Sequence, residues 1–205
     1  MCGYWGLHVL NSDVKNNNNV NRITYLKKLY PDARFIIPIR DPVSHIASLV
    51  RQHKRFSRIQ QTNKRALKHF QRQGHFEFGL DRRPLNSGNT EEIKQIMNSW
   101  DEGEEITGWA LYWSHTYNYL SQTIKKDKEL KNACKIIRYE DMCDKPAHII
   151  KETVQHCSLN PDNQLINEQA KKICEPQYYD VDLSDRDIEL IKTITHDTAS
   201  YFGYS

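Results

Sequence analysis

Long apolar runs are missing from this sequence: nothing in it approaches the roughly 18 consecutive apolar residues that a membrane-crossing helix needs. The opening stretch, "MCGYWGLHVLNSDVKN", lacks the basic segment followed by an apolar run that marks a secretory leader. The expectation is a soluble, cytoplasmic chain with no membrane segment. Cysteine is scarce and scattered. Cys2, Cys134, Cys143, Cys157 and Cys174 form no C-x-x-C pair and no Cys/His group at zinc spacing. Such a set reads as idle thiols in a reducing compartment, with no metal expected. No internal repeat is present, and no acid occurs between Arg51 and Arg72.

What the chain does have is enough length for one domain and enough apolar material to fill it. Its 205 residues are 38% apolar and include four tryptophans, which suits a single domain over residues 1–205 with a real core. A net charge of +3 does not advertise a nucleic-acid binder. The charge is unevenly spread, however: residues 51–72 hold eight Lys or Arg and carry +8, which leaves the rest of the chain at −5. Some face or segment must be strongly electropositive.

Strand and helix patterns alternate along the chain. "WGLHVL" reads as a short strand, "NNNN" at 16–19 as a polar turn, and "VNRITYLKKLY" as a helix ending before Pro31. "ARFIIPI" is continuously apolar, as a buried parallel strand requires, with Pro38 marking a bulge or an edge. Asp41 can cap the next helix and Pro42 suits its first position; the helix runs through "VSHIASLVRQHKRF". Residues 57–103 then turn polar, basic and rich in Gly, Asn and Ser, an apparent insertion with one helical candidate, "TEEIKQIMNSW". In "EEITGWALYWSHTYNYLSQTIKK", Ile106, Trp109, Trp113, Tyr117, Leu120 and Ile124 make one apolar stripe that reads as core packing. "ACKIIRY" follows as a strand, "EDMCDKP" as a loop and "AHIIKETVQHCSL" as a helix. The last helix, "SDRDIELIKTITHDTASYF", starts with a Ser184/Asp187 capping box and has Gly203 past its end. This alternation argues an α/β layered fold with a mostly parallel sheet.

In such sheets, ligands gather outside the carboxyl ends of the strands, where helix N-termini offer free N–H groups. Arg40 stands at one such end. Ser44 and Ser48 lie four residues apart, on one face of the following helix. A guanidinium, a hydroxyl and helix N–H groups would suit a phosphate. The bland alternative is that Arg40 pairs with a neighbouring acid and the serines only pack.

"FIIPIRDPVSHIAS" resembles the 3′-phosphate-binding segment of the sulfotransferase superfamily, with its strand, Arg-Asp-Pro, and a helix carrying serine eight residues after the arginine. "KIIRYEDMCDKPAHIIKETVQHCSL" is similar to the family's second such strand, its Tyr-Glu-Asp turn and the helix beyond. The resemblance covers roughly residues 5–55 and 104–160 and implies a P-loop-NTPase-like three-layer fold. It also implies transfer of a sulfuryl group from 3′-phosphoadenosine 5′-phosphosulfate (PAPS) to an acceptor hydroxyl or amine. By it, Arg40 and Ser48 hold the donor's 3′-phosphate and Tyr139 lies near the adenine. Glu140 and Asp141 read more simply as acids that tie backbone N–H groups in the turn.

The sequence departs from the family pattern in two places. The Gly/Ser/Thr-rich loop that cradles the 5′-phosphosulfate has no counterpart in the 39 residues before Arg40, since Gly3 and Gly6 open no helix and lack a Lys-Ser/Thr partner. The expected fold is therefore N-terminally incomplete. At the family's Lys-containing motif this chain offers "SDVKNNNN", where Lys15 could neutralise developing charge; Asp13 and His8 are the nearest titratable substitutes for the base.

The basic segment, residues 51–83, has three readings. It could be an acceptor-binding lobe for an anionic glycan, with Phe56, Phe70, Phe76 and Phe78 as stacking faces; a nucleic-acid contact, which the modest net charge disfavours; or a solvated insertion. Ile59, Ala66, Leu67 and Phe70 are spaced for a helix within it. Two functions stay open: a sulfotransferase, or a non-catalytic relative that binds a nucleotide phosphate or an acidic partner through Arg40 and this segment.

Overall fold

The computed structural model of the chain describes residues 8–9, 17–173 and 183–204. It divides into two compact units, one formed by Met1–Asp41 with Leu120–Tyr179 and the other by Pro42–Tyr119 with Asp180–Ser205.

The first unit holds the sheet. Strand β1 (His8–Val9) is followed by a 3-10 helix (Asn17–Arg22) and helix α1 (Ile23–Leu29), and then by strand β2 (Phe35–Ile39). The asparagine run expected as a plain turn forms the 3-10 helix instead, and Asn19 is buried. β2 is buried along most of its length and sits in the middle of a three-stranded sheet in the order β1-β2-β3, where β3 is Cys134–Arg138. β2 and β3 run parallel, as expected, whereas β1 is antiparallel to β2. Among the described residues, mixed helix and strand are thus present, in a sheet smaller and less uniformly parallel than the sequence suggested. β1 pairs only with Phe35 and Ile36, so among the described residues Pro38 has a ladder neighbour on one side alone, Ile137. That is the local edge a proline tolerates.

The second unit is helical. Helix α2 spans Pro42–Thr62, 21 residues, and buries Val43, Ile46, Ala47 and Val50. Asn63 separates it from α3 (Lys64–Gln73), accepting hydrogen bonds from the Arg65 and Ala66 N–H groups through its side chain. Helix α4 (Thr90–Asp101) buries Ile96 and Trp100. Residues 57–103 therefore contain the end of α2, α3 and α4, with Gln60 buried as well. Helix α5 (Glu105–Lys126) carries the aromatic stripe, and its core residues are buried as read from their spacing: Trp109 and Trp113 in this unit, and Leu120 and Ile124 in the part of the helix that belongs to the first unit. Its Gly108 is obligatory in packing terms: a Cβ there would lie 2.3 Å from Trp100.

The remaining helices are α6 (Lys128–Ala133), α7 (Tyr139–Asp144), α8 (Pro146–His156) and α9 (Asn163–Ala170) in the first unit, and α10 (Asp185–Tyr201) in the second. The segment "EDMCDKP" folds into α7 rather than a loop, because Glu140 and Asp141 fall in a first turn where the helix dipole favours acids. Pro146 opens α8. The Ser184/Asp187 capping box forms, and Gly203 follows the end of α10 at φ +79°. Among the described residues no helix is long and apolar enough to cross a membrane, and no group of His, Cys, Asp and Glu could hold a metal ion.

Burial pushes the Cys134 thiol up to about 12. Alkylation of Cys134 by iodoacetamide at pH 7.5 is expected to run on the order of 100-fold slower than that of a free cysteine, as too little thiolate is present. Timed alkylation followed by peptide mass spectrometry checks this. Labelling at the rate of a model thiol contradicts it.

Candidate functional site

The register of the parallel pair builds the candidate site in the first unit. The last pair of the ladder is Ile39 with Arg138, so the next residues, Arg40 and Tyr139, leave the sheet together at its carboxyl end. The Arg40 guanidinium lies 5.1 Å from the centroid of the Tyr139 ring, at cation–π distance. Beside it, the Glu140 carboxylate accepts a hydrogen bond of 3.0 Å from the Asp41 backbone N–H. Glu140 does tie a backbone N–H, that of Asp41 at the other strand's exit. Asp141 sits 3.9 Å from Arg138. A half-buried guanidinium, held over an aromatic face between two strand exits, is disposed to bind an oxyanion.

In the second unit, α2 presents Ser44 and Ser48 one turn apart and half-buried. The structure thus brings together Arg40, Tyr139 and Glu140 in the first unit, and pairs Ser48 with Ser44 on one helix in the second. His8 is described by its backbone alone, paired with Ile36. Asp13 and Lys15 lie outside the described residues.

Sequence reasoning missed two polar clusters in the second unit. In the first, Arg82 makes a bidentate pair with Glu105, through a short contact to Oε1 and one of 2.8 Å to Oε2. The same guanidinium lies 4.1 Å from the Trp100 ring centroid and 5.4 Å from that of Trp109. Trp109 Nε1 donates to Glu105 at 2.7 Å, and His53 approaches the same carboxylate at 3.8 Å. His53 Nδ1 also accepts the Gly79 N–H at 3.2 Å. In the second cluster, Ser87 Oγ lies 2.7 Å from His115 Nε2, and His115 Nδ1 meets the Glu92 carboxylate closely. This chain fastens the segment before α4 onto α5. A cavity of about 230 Å³ beside it is lined by Glu92 and His115 but not by Ser87.

The first cluster is expected to lose stability in acid. Burial, followed by the Arg82 charge, pushes the His53 imidazole below its ordinary value against the pull of Glu105. Burial raises the Glu105 carboxyl, but the Arg82 hydrogen bonds and charge, with Trp109 and His53, outweigh it and leave it below the usual range. For His53 the unfolded chain takes up a proton near pH 6.5 while the folded one resists, so stability is lost as pH falls through 6.5 toward the folded value. For Glu105 the stabilisation is present above the ordinary carboxylate value and lost as pH falls through its lower folded value. Urea midpoints are expected to fall between pH 7 and 5, and His53→Gln to flatten that slope. An unchanged slope in the variant contradicts the assignment to His53.

Residues 3–94 match the model of the sulfotransferase family. No curated protein and no solved structure matches the chain. The matched segment contains β2, Arg40, Ser48 and the whole of α2 and α3, and over it the chain is similar to the sulfotransferase family. The reaction class that this similarity suggests is sulfuryl transfer in general.

Proposed function

We propose that the protein is a sulfotransferase that uses PAPS as donor and transfers its sulfuryl group to a hydroxyl or amine of an acceptor, carbohydrate hydroxyls among them. The observation that carries this reading is the position of Arg40, inside the family-matched segment and at a strand's carboxyl end over Tyr139. In this reading, Arg40 and Ser48 hold the donor's 3′-phosphate and Tyr139 neighbours the adenine, on a P-loop-NTPase-like three-layer fold. A planar guanidinium held over an aromatic ring suits a phosphate, whose oxygens its fork can meet in pairs.

Sulfuryl transfer asks the protein mainly for in-line positioning and neutralisation of charge. The acceptor oxygen bonds to sulfur as the sulfur–oxygen bond to the 5′-phosphate breaks, the electron pair leaving with adenosine 3′,5′-bisphosphate. Lys15 is assigned to charge neutralisation, and Asp13 or His8 to receiving the acceptor's proton. Residues 57–103 are assigned to the acceptor side. Transfer from radiolabelled donor, run alongside calorimetric titration with adenosine 3′,5′-bisphosphate, tests the reading. Binding without transfer would favour the non-catalytic role, and neither binding nor transfer would sink the donor assignment altogether.

A further inference from the structure

The eight cations of residues 51–72 resolve into two ordered stripes. Arg51, Lys54, Arg55 and Arg58 follow one another at intervals of three, one and three along α2, the spacing of a single helix face. Lys64, Arg65, Lys68 and Arg72 do the same along α3, at intervals of one, three and four. All eight are exposed. With one turn of helix per 5.4 Å, each stripe spreads its four cations over roughly 10 Å. No acid lies anywhere in the segment to neutralise a stripe from its own helix.

The phenylalanines of this region are engaged elsewhere. Phe56 meets Phe70 edge-on at 5.0 Å and stacks on Phe78 at 6.0 Å, Phe78 lies 5.8 Å from Trp109, and Phe76 is covered by the Arg83 guanidinium. Three of the four rings on which single-stranded nucleic acid would stack are therefore committed to packing on other rings, and the fourth is covered by a cation. What remains outside is charge, five of the eight cations being arginine. Arginine's fork matches sulfate and carboxylate oxygens in pairs, and its long stem lets the head follow an irregular chain.

We propose that the exposed faces of α2 and α3 form a docking surface for a linear sulfated or uronic-acid polysaccharide, read by charge spacing rather than by ring stacking. As an acceptor-binding surface it rests on the transferase reading; as a binding site it stands on the stripes alone. A flexible anionic polymer gains most from such a face by releasing its counterions, so its affinity is strongly salt-dependent.

Fluorescence anisotropy with labelled heparin is the test, run on the full chain at two salt concentrations. Wild-type binding is expected to weaken about ten-fold or more between 50 and 200 mM salt. Arg55→Glu/Arg58→Glu and Arg65→Glu/Lys68→Glu are each expected to weaken it at least about ten-fold, while Lys151→Glu on exposed α8 leaves it unchanged. All of these changes sit on exposed helix positions, and circular dichroism verifies that the helices persist. A single-stranded oligonucleotide of equal charge that binds as tightly as heparin overturns the proposal, as does heparin binding that ignores both double reversals. Adenosine 3′,5′-bisphosphate titrated into the same proteins separates the two readings. A wild type that fails to bind the nucleotide, with heparin still following the stripes, defeats the transferase reading and supports the surface.

Discussion

Arg40→Ala is expected to weaken binding of adenosine 3′,5′-bisphosphate roughly 100-fold, about 2.7 kcal/mol, the scale of one desolvated charge-assisted pair. The prediction is sharper when two ligands are compared. Adenosine 5′-monophosphate lacks the 3′-phosphate, so the preference of the wild type for the bisphosphate should collapse in the variant, while affinity for the monophosphate changes little. Arg40→Lys keeps the charge but gives up the planar fork and its stack on Tyr139, and is expected to restore only part of the affinity. Thermal stability should move little, because a cation–π pair of the Arg40–Tyr139 kind is worth only about 0.5–1 kcal/mol. Calorimetric titration of both nucleotides decides the matter. If Arg40→Ala weakens the two equally, Arg40 does not read the 3′-phosphate.

The largest stability effect is expected from Arg82→Ala. The Arg82 side chain is 11% exposed and the Glu105 side chain 28%, and removing the cation strands a mostly buried carboxylate beside two indole rings. Breaking one side of such a pair costs about 3 kcal/mol, which for a chain of this size lowers the melting temperature by roughly 6–12 °C. Removing both charges should hurt less than the single changes imply. In a cycle with Arg82→Met and Glu105→Gln, the coupling should reach about 1.5 kcal/mol or more. Additive losses in that cycle would mean the pair is not coupled.

Legibility followed the physics of each element. The apolar run 35–39, the stripe from Ile106 to Ile124 and the capping box at Ser184 declared themselves because periodicity and capping are local properties. Arg40 was legible because a strand exit followed by Asp-Pro is a local pattern too. Arg82 was not: it lies in "GLDRRPLNSGNT", which has no period, and its value comes from Glu105, Trp100 and Trp109, brought to it by tertiary folding. His115 was hidden for a similar reason, since on the aromatic helix it looks like one more packing residue until Glu92 and Ser87 close on it. The phenylalanines misled in the opposite direction: their spacing suggests outward stacking faces, and the fold spends three of them on one another.

The hydrogen bond from Asp41 to Glu140 closes a loop of 99 residues. Closing a flexible loop of that length costs about 4 kcal/mol of chain entropy beyond a constant, more than one hydrogen bond returns, so the bond depends on the pairing of β2 with β3. A fragment limited to residues 3–94 would carry Arg40 and both basic stripes, yet it would lack β3, the Tyr139 ring and the Glu140 carboxylate that fix the arginine's neighbourhood. The family-matched segment alone thus lacks the ring and the carboxylate that neighbour Arg40, which only the longer chain brings to it.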